Sequence, residues 1–326
     1  MKSGEAIQGD LFAEVKTAHH QPKNPEDPLH WIHFGTSTWA YPGWKGIVYS
    51  KKHSSTTDYL REYLEYPHFR TAGADFTFYR PPDPKMLKSW KPFLPENFKF
   101  VFKVWDELTV DRFQNIDQQH SPLRKENQPN PHYLNSEIFE GLFLEPFNEA
   151  GFKDHVAAFI FEFRSSTGRN KEKFLSDLGG FLETLPKDWP YAVEIREPKI
   201  LGEGYVSILK STEASHVYNH WDRMPALSEQ MEQVPLTGKA VVSRILTPLN
   251  MPYAVAKKKF APYNELRPEN VMPQMRQDAV SLALQAIRSR LPGYILVNNR
   301  SEGCAPLTIR ALEEMLQSSV VELGED

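Results

Sequence analysis

The chain has one cysteine, Cys304, in 326 residues. That excludes an internal disulfide and a zinc site built from several thiolates, and it fits a reducing compartment. No run approaches 18 apolar residues, so no membrane-spanning helix is expected. The polar, proline-bearing stretch 1–30 lacks the apolar core of a signal peptide. Charge of one sign is not in excess. Lys and Arg total 38 against 42 Asp and Glu, a formal net charge of -4. A protein that coats nucleic acid with its whole surface would be strongly basic, so that class is set aside and only a local basic patch stays open. The glycine fingerprint of a dinucleotide fold does not follow the first strand, and no internal repeat is visible.

What is present is the composition of a soluble globular protein, 40% hydrophobic and 25% charged. Apolar runs alternate with helical patterns. Strands are expected at 32–37, 76–80, 98–104, 155–163, 191–196, 215–219, 239–245 and 294–298. Helices are expected at 54–65, 83–90, 136–150, 171–185, 204–210, 226–233, 272–290 and 306–316. Residues 1–30 read as a disordered tail, with His19 and His20 solvated, and 31–326 as one domain. The stretch 155–163, HVAAFIFEF, suits a strand buried on both faces. Alternation of strand and helix implies parallel strands with right-handed crossovers. Eight such units predict an α/β fold, a closed (β/α)8 barrel of the TIM type, with an open doubly wound sheet as the alternative. The connections 105–135 and 247–270 read as long loops, the second carrying Lys257, Lys258 and Lys259.

In such a barrel the site lies at the carboxyl ends of the strands. Residues two apart on a strand share a face, so Glu162 and Arg164 point together, as do Glu194 and Arg196. Charge is costly on the outer face beneath the helices. Both pairs are therefore expected to face inward at the mouth, joined by Lys103 and Arg244. Four cations then meet two carboxylates. The excess suits a phosphate or carboxylate ligand held by guanidinium forks, with Glu194 or Glu162 as acid or base. A salt-bridge plug across the mouth is the structural alternative. A divalent metal on Glu162, Glu194, His220 and Asp222 is another. His216 reads as a packed core residue and Cys304 as an inert thiol. In 33–46, HFGTSTWAYPGWKG, the aromatics Trp39, Tyr41 and Trp44 either plug a turn or wall a pocket.

That opening stretch matches Gly-Thr-Ser-x-Trp-x-Tyr-x-x-Trp-x-Gly. With Thr77-Phe78-Tyr79, FKFVFK at 98–103, Val193-Glu194-Ile195-Arg196 and Asn298-Asn299, it resembles the domain-of-unknown-function 72 (YecE-like) family over about 33–315. The resemblance implies a TIM-type barrel and no settled reaction. It marks Thr36, Tyr79, Lys103, Glu194, Arg196, Arg244, Asn298 and Asn299 as shared positions. Departures fall at Gly73 and Asp75, where the family has Glu and Asn. Others are Leu246 and Thr247 in place of His-Gly, and Glu162-Phe163-Arg164 in place of Gln-x-Pro.

The sequence thus predicts a cytoplasmic barrel protein that binds a small anionic ligand at its mouth. The expected ligand-binding residues are Thr36, Trp39, Tyr79, Lys103, Arg164, Arg196, Arg244, Asn298 and Asn299. Glu194 and Glu162 are the acid or base of a hydrolase or lyase, and no cofactor is required. The alternatives are a non-catalytic module for nucleic acid or a protein partner, and a metal-dependent barrel enzyme. The oligomeric state is not legible.

Overall fold

Strand and helix alternate throughout the computed structural model, which describes residues 27–114, 117, 124–165 and 169–324. The strands are β1 Ile32–Thr36, β2 Thr71–Ala74, β3 Lys99–Lys103, β4 Val156–Phe163, β5 Tyr191–Ile195, β6 Ser215–His220, β7 Val241–Ile245 and β8 Gly293–Val297. They pair in parallel in sequence order, and β8 returns to β1 to close the barrel. The helices are α1 Thr56–Leu64 and α2 Pro84–Trp90, then α3 over 136–150 with a π segment at Phe139–Leu144, and α4 Lys171–Thr184. They continue as α5 Glu203–Thr212, α6 Leu227–Gln233, α7 Tyr253–Phe260, α8 Pro273–Arg288 and α9 Ala305–Gly324. The barrel fold expected from the alternation is the fold found.

Local chemistry sets the helix starts. Ser55 accepts from the Asp58 N–H to cap α1, Asp83 from Lys85 to cap α2 ahead of a proline, and Asn170 from Lys173 to cap α4. Outward strand residues form the main core. Phe102, Phe159 and Phe161 pack under Phe139, Phe147 and Phe181 of α3 and α4. Inward residues form a second, smaller core of Val101, Ala158, Ile160, Ala192, Val217, Val242, Tyr294 and Leu296. This filling makes the lower barrel a packed interior and leaves its upper layer for polar groups.

Three expectations need correction. The second strand is not 76–80; it is Thr71–Ala74, and Asp75–Phe78 turns as a 3-10 segment. Its four residues are Thr, Ala, Gly and Ala, fully buried but with no large apolar side chain to give a periodic signal. The connection 247–270 is not loop throughout, because α7 forms there and carries Lys257, Lys258 and Lys259 exposed. The last helix runs on to Gly324, well past 316. The tail expected at 1–30 falls mostly on residues 1–26, which lie outside the described residues together with His19 and His20; Pro28–Trp31 forms a 3-10 turn capped by Asp27. Among the described residues no helix is long and apolar enough to cross a membrane.

The β1–β2 seam is close. A Cβ on Gly35 would lie 1.9 Å from the Thr71 carbonyl oxygen, a distance that only movement of the strand can relieve. Gly35→Ala is expected to destabilise the protein by about 3 kcal/mol, read as a lower urea midpoint. Gly141→Ala, where a Cβ meets nothing within 4 Å, is expected to be neutral or slightly stabilising.

Candidate functional site at the barrel mouth

The upper layer of the barrel is an ion network. Glu162 on β4 and Glu194 on β5 are register partners, 3% and 0% exposed. Two adjacent buried carboxylates repel each other and lose hydration, so cations must surround them. Glu162 Oε2 receives Lys103 Nζ at 2.8 Å, Arg196 Nη2 at 2.6 Å and Arg244 Nη1 at 3.0 Å. Glu194 takes Arg196 Nε at 2.9 Å on one oxygen and Arg244 Nη1 at 2.7 Å on the other. The second nitrogen of Arg244, Nη2, reaches both oxygens of Asp75, at 2.7 and 3.0 Å. Phe78 supports Lys103 and Trp221 supports Arg196 through their ring faces, at 3.7 and 4.3 Å. Burial alone would raise the Glu162 carboxyl. Arg196, Lys103 and Arg244 overcome it and hold the group well below the usual carboxylate range. Burial would likewise lower Arg244, yet Asp75, Glu194 and Glu162 raise it.

The expected surplus of cations is not found here. Three cations meet three carboxylates. Arg164 does not join the network: its Nη2 donates to Asp117 at 2.8 Å, in the β3–α3 connection. Arg164 and Arg196 both lie one residue past their strands; Arg196 keeps the parity of β5, whereas Arg164 is drawn to Asp117. Asp75 was missed because the second strand was misplaced. The signal that marks it is its own departure from the family pattern.

The other expected residues divide. Trp39 does not wall a pocket; it is buried against Phe76, Trp90 and Phe100 and donates its indole N–H to the Thr56 carbonyl. Thr36 is buried, donating to the Thr38 carbonyl at 2.8 Å and meeting the Tyr63 hydroxyl at 3.0 Å. Tyr79 stands at the rim, 56% exposed and within electrostatic reach of Asp75. The four residues weighed for a metal do not gather. Glu162 and Glu194 are committed to cations and His220 Nδ1 to the Thr247 carbonyl. Among the described residues no three His, Cys, Asp or Glu side chains are placed to share an ion. His216 is buried against Tyr205 and Tyr218, and burial pushes its imidazole down to about 3.

Beside the network a cleft of about 190 Å3 opens between the ends of β1 and β8. Ser37, Asp75, Asn298, Asn299 and Arg300 line it, with Tyr41 and Tyr263. The Asn298 oxygen accepts from Arg300 N at 3.0 Å; the Asn299 oxygen accepts from Trp44 Nε1 at 3.1 Å and Ala305 N at 3.0 Å. Fixing the oxygens leaves the amide nitrogens as donors. The Ser37 hydroxyl is buried with no hydrogen-bond partner among the described residues. Arg300 rests on the Tyr253 ring at 4.5 Å, and its guanidinium has no ion-pair partner among the described residues. Tyr41 donates to the Pro262 carbonyl and packs on Tyr263, which ties the β7–α8 connection across the cleft.

A closed eight-stranded parallel barrel with a charged mouth places the molecule among TIM-type barrels. The chain belongs to the DUF72 family of proteins of unknown function, whose model matches residues 33–325. It is similar to the crystal structure of a DUF72 family protein from Thermotoga maritima MSB8, with TM-score 0.59 and 17% identity, over 88% of this chain and 100% of that one. It is also similar to a DUF72 family protein from Enterococcus faecalis V583, with TM-score 0.58 and 18% identity, over 88% of this chain and 95% of that one. At these identities the likeness is one of fold. No curated protein matches the sequence.

Arg244→Leu removes one of the two cations shared by Glu162 and Glu194, and the only ionic partner of Asp75 among the described residues. A loss of about 3 to 5 kcal/mol is expected in chemical denaturation at neutral pH. A carboxylate depressed in the folded state stabilises above its unfolded value, 4.5 for Glu162, and that gain vanishes only as the pH falls through the lower folded value. The wild type is therefore expected to lose this contribution only in strong acid. The Arg244→Leu deficit should shrink there, as the stranded carboxylates take up protons. Cys304 is fully buried, and burial pushes its thiol up to about 11. It is expected to react with an aromatic disulfide reagent only after unfolding, a result that checks the packing of the α9 start.

Proposed function

We propose that this protein binds a small oxyanion, phosphate or carboxylate, in the cleft at the carboxyl end of the barrel. Arg300 supplies the charge, and Ser37, Asn298 and Asn299 supply hydrogen-bond donors. One observation carries the reading: Lys103, Arg196 and Arg244 are matched by carboxylates, while the Arg300 guanidinium, stacked on Tyr253, has no acidic partner among the described residues. A partly buried guanidinium without a counter-charge is costly, and its planar fork matches an oxyanion. The loop after the eighth strand is also a recurrent phosphate-binding position in TIM barrels.

In this reading the ion network is the floor of the site. Lys103, Arg196 and Arg244 do not touch the ligand; they hold Glu162, Glu194 and Asp75. Glu194 and Glu162 act as counter-charges, because their oxygens are buried and taken up by Lys103, Arg196 and Arg244. An acid–base step in a hydrolase or lyase falls instead on Asp75, whose side chain is 34% exposed. Thr36 shapes the β1 wall and Tyr79 the rim. The single, buried cysteine fits a cytoplasmic setting.

Titration calorimetry and thermal shift with inorganic phosphate and acetate test the reading. A ligand at a hundred times its Kd adds about 2.7 kcal/mol to stability, a rise of several degrees in Tm. Arg300→Gln is expected to weaken binding at least tenfold, the loss of one charge-assisted contact, with an unchanged circular dichroism spectrum. Undiminished binding by Arg300→Gln, or no binding of either anion by the wild type, removes the proposal.

A further inference from the structure

We infer that the anion bound in this cleft carries hydroxyl groups, so that the ligand class is a small polyol or sugar phosphate rather than a bare oxyanion. The inference rests on the anion reading above and adds the chemistry of the cleft's other half. An oxyanion presents only acceptors, and Arg300 with the two asparagine amides is enough to hold it. The same cleft also contains Asp75, a carboxylate, which would repel a bare anion. It contains the Ser37 hydroxyl too, 2% exposed and without a hydrogen-bond partner among the described residues. An acceptor-only ligand can take the Ser37 proton but leaves Asp75 facing a like charge. A ligand with donors next to its anionic group satisfies both: a hydroxyl donates to Asp75, and its oxygen can accept from Ser37.

The donor is better a neutral hydroxyl than an ammonium. Asp75 already accepts both of its short contacts from Arg244 Nη2 at 2.7 and 3.0 Å, so it is not a free counter-charge for a second cation. A ligand ammonium would sit between two guanidinium groups, Arg244 and Arg300, with that carboxylate already shared. A hydroxyl adds no charge, and the remaining lone pairs of Asp75 can accept it. The volume agrees. At about 190 Å3 the cleft is below the roughly 300 Å3 at which drug-sized pockets begin, which suits a molecule of a few carbons. Below the cleft, Gly73 on the inward side of β2 packs directly against Ser37: a Cβ there would lie 3.0 Å from the Ser37 Cα, so a larger residue would displace the Ser37 backbone.

Three phosphate monoesters separate the terms: methyl phosphate, glycerol 2-phosphate and phosphoethanolamine. Titration calorimetry on the full chain is expected to show glycerol 2-phosphate binding about tenfold tighter than methyl phosphate, the effect of one hydrogen bond to a charged group. Phosphoethanolamine is expected to be no better than methyl phosphate. Asp75→Asn should change the selectivity between the two reference ligands. Methyl phosphate binds more tightly because a negative charge is gone, and the advantage of glycerol 2-phosphate falls to within about threefold. Tighter binding of one ligand together with lost selectivity would not arise from a loosened fold. Where Asp75→Asn does not fold, the wild-type ranking of the three ligands decides the matter. Equal wild-type affinities for methyl and glycerol phosphate overturn the inference and leave the anion reading standing. A clear preference for phosphoethanolamine overturns the choice of hydroxyl. Absence of binding by all three overturns the inference and the anion reading together.

Discussion

The mouth of this barrel depends on two glutamates that are register neighbours and fully buried. Glu162 and Glu194 lie side by side on β4 and β5. Neither repulsion nor lost hydration can be relieved by solvent. Arg244 meets the need from β7, two strands beyond β5, with one nitrogen between the two glutamates and the other on Asp75 beyond β2. One side chain thus bridges elements spread around the barrel. Such a network adds little net stability against a well-packed apolar layer of the same volume, because desolvation offsets attraction. What it supplies is position. Asp75 is held at a fixed point at the edge of the cleft, with the ring faces of Phe78 and Trp221 keeping the flanking cations in place.

The division between matched and unmatched charge gives the mouth its two halves. On the β3–β7 side Lys103, Arg196 and Arg244 each have an acidic partner, and Glu162 and Glu194 are closed to solvent. On the β8–β1 side the groups are single: one guanidinium on a tyrosine ring, one hydroxyl, two amides whose oxygens are already bonded. A closed half is suited to holding geometry and an open half to meeting a ligand.

Much of the first half was legible in the sequence because a strand has period two and an outer face under helices excludes charge. That argument alone placed Glu162, Glu194, Lys103 and Arg244 inside. Past the strand ends it held for Arg196 but not for Arg164, which turned to Asp117, or for Trp39, which turned into the aromatic core. β2 escaped because Thr-Ala-Gly-Ala has no apolar periodicity. Its burial comes from neighbours that approach closely, which only the assembled barrel reveals. The cleft was legible only in outline. The Asn298-Asn299 pair could be read from the motif, but whether Arg300 had an acidic partner depends on residues distant in the chain.

The departures from the family pattern are consistent with one another. Where the resemblance leads one to expect Glu and Asn before Thr-Phe-Tyr, this chain has Gly73 and Asp75. Both positions lie on the inner side, two residues apart. The carboxylate has in effect moved one step up the wall, and Ser37 packs directly against its old place. A second carboxylate, Glu162, stands where the family pattern has Gln, and it takes contacts from all three inward cations. By that pattern the same layer has two carboxylates, at the positions of Gly73 and Glu194, against Lys103, Arg196 and Arg244. This chain loses the first and adds Asp75 and Glu162, so three cations meet three carboxylates. An unmatched buried charge costs several kcal/mol, and none of the three inward cations carries that cost. The ordering of the layer also follows: the lower carboxylates are enclosed, and the raised one, Asp75, reaches the edge of the cleft. The layer is thus balanced within itself, and Arg300 stands outside that balance.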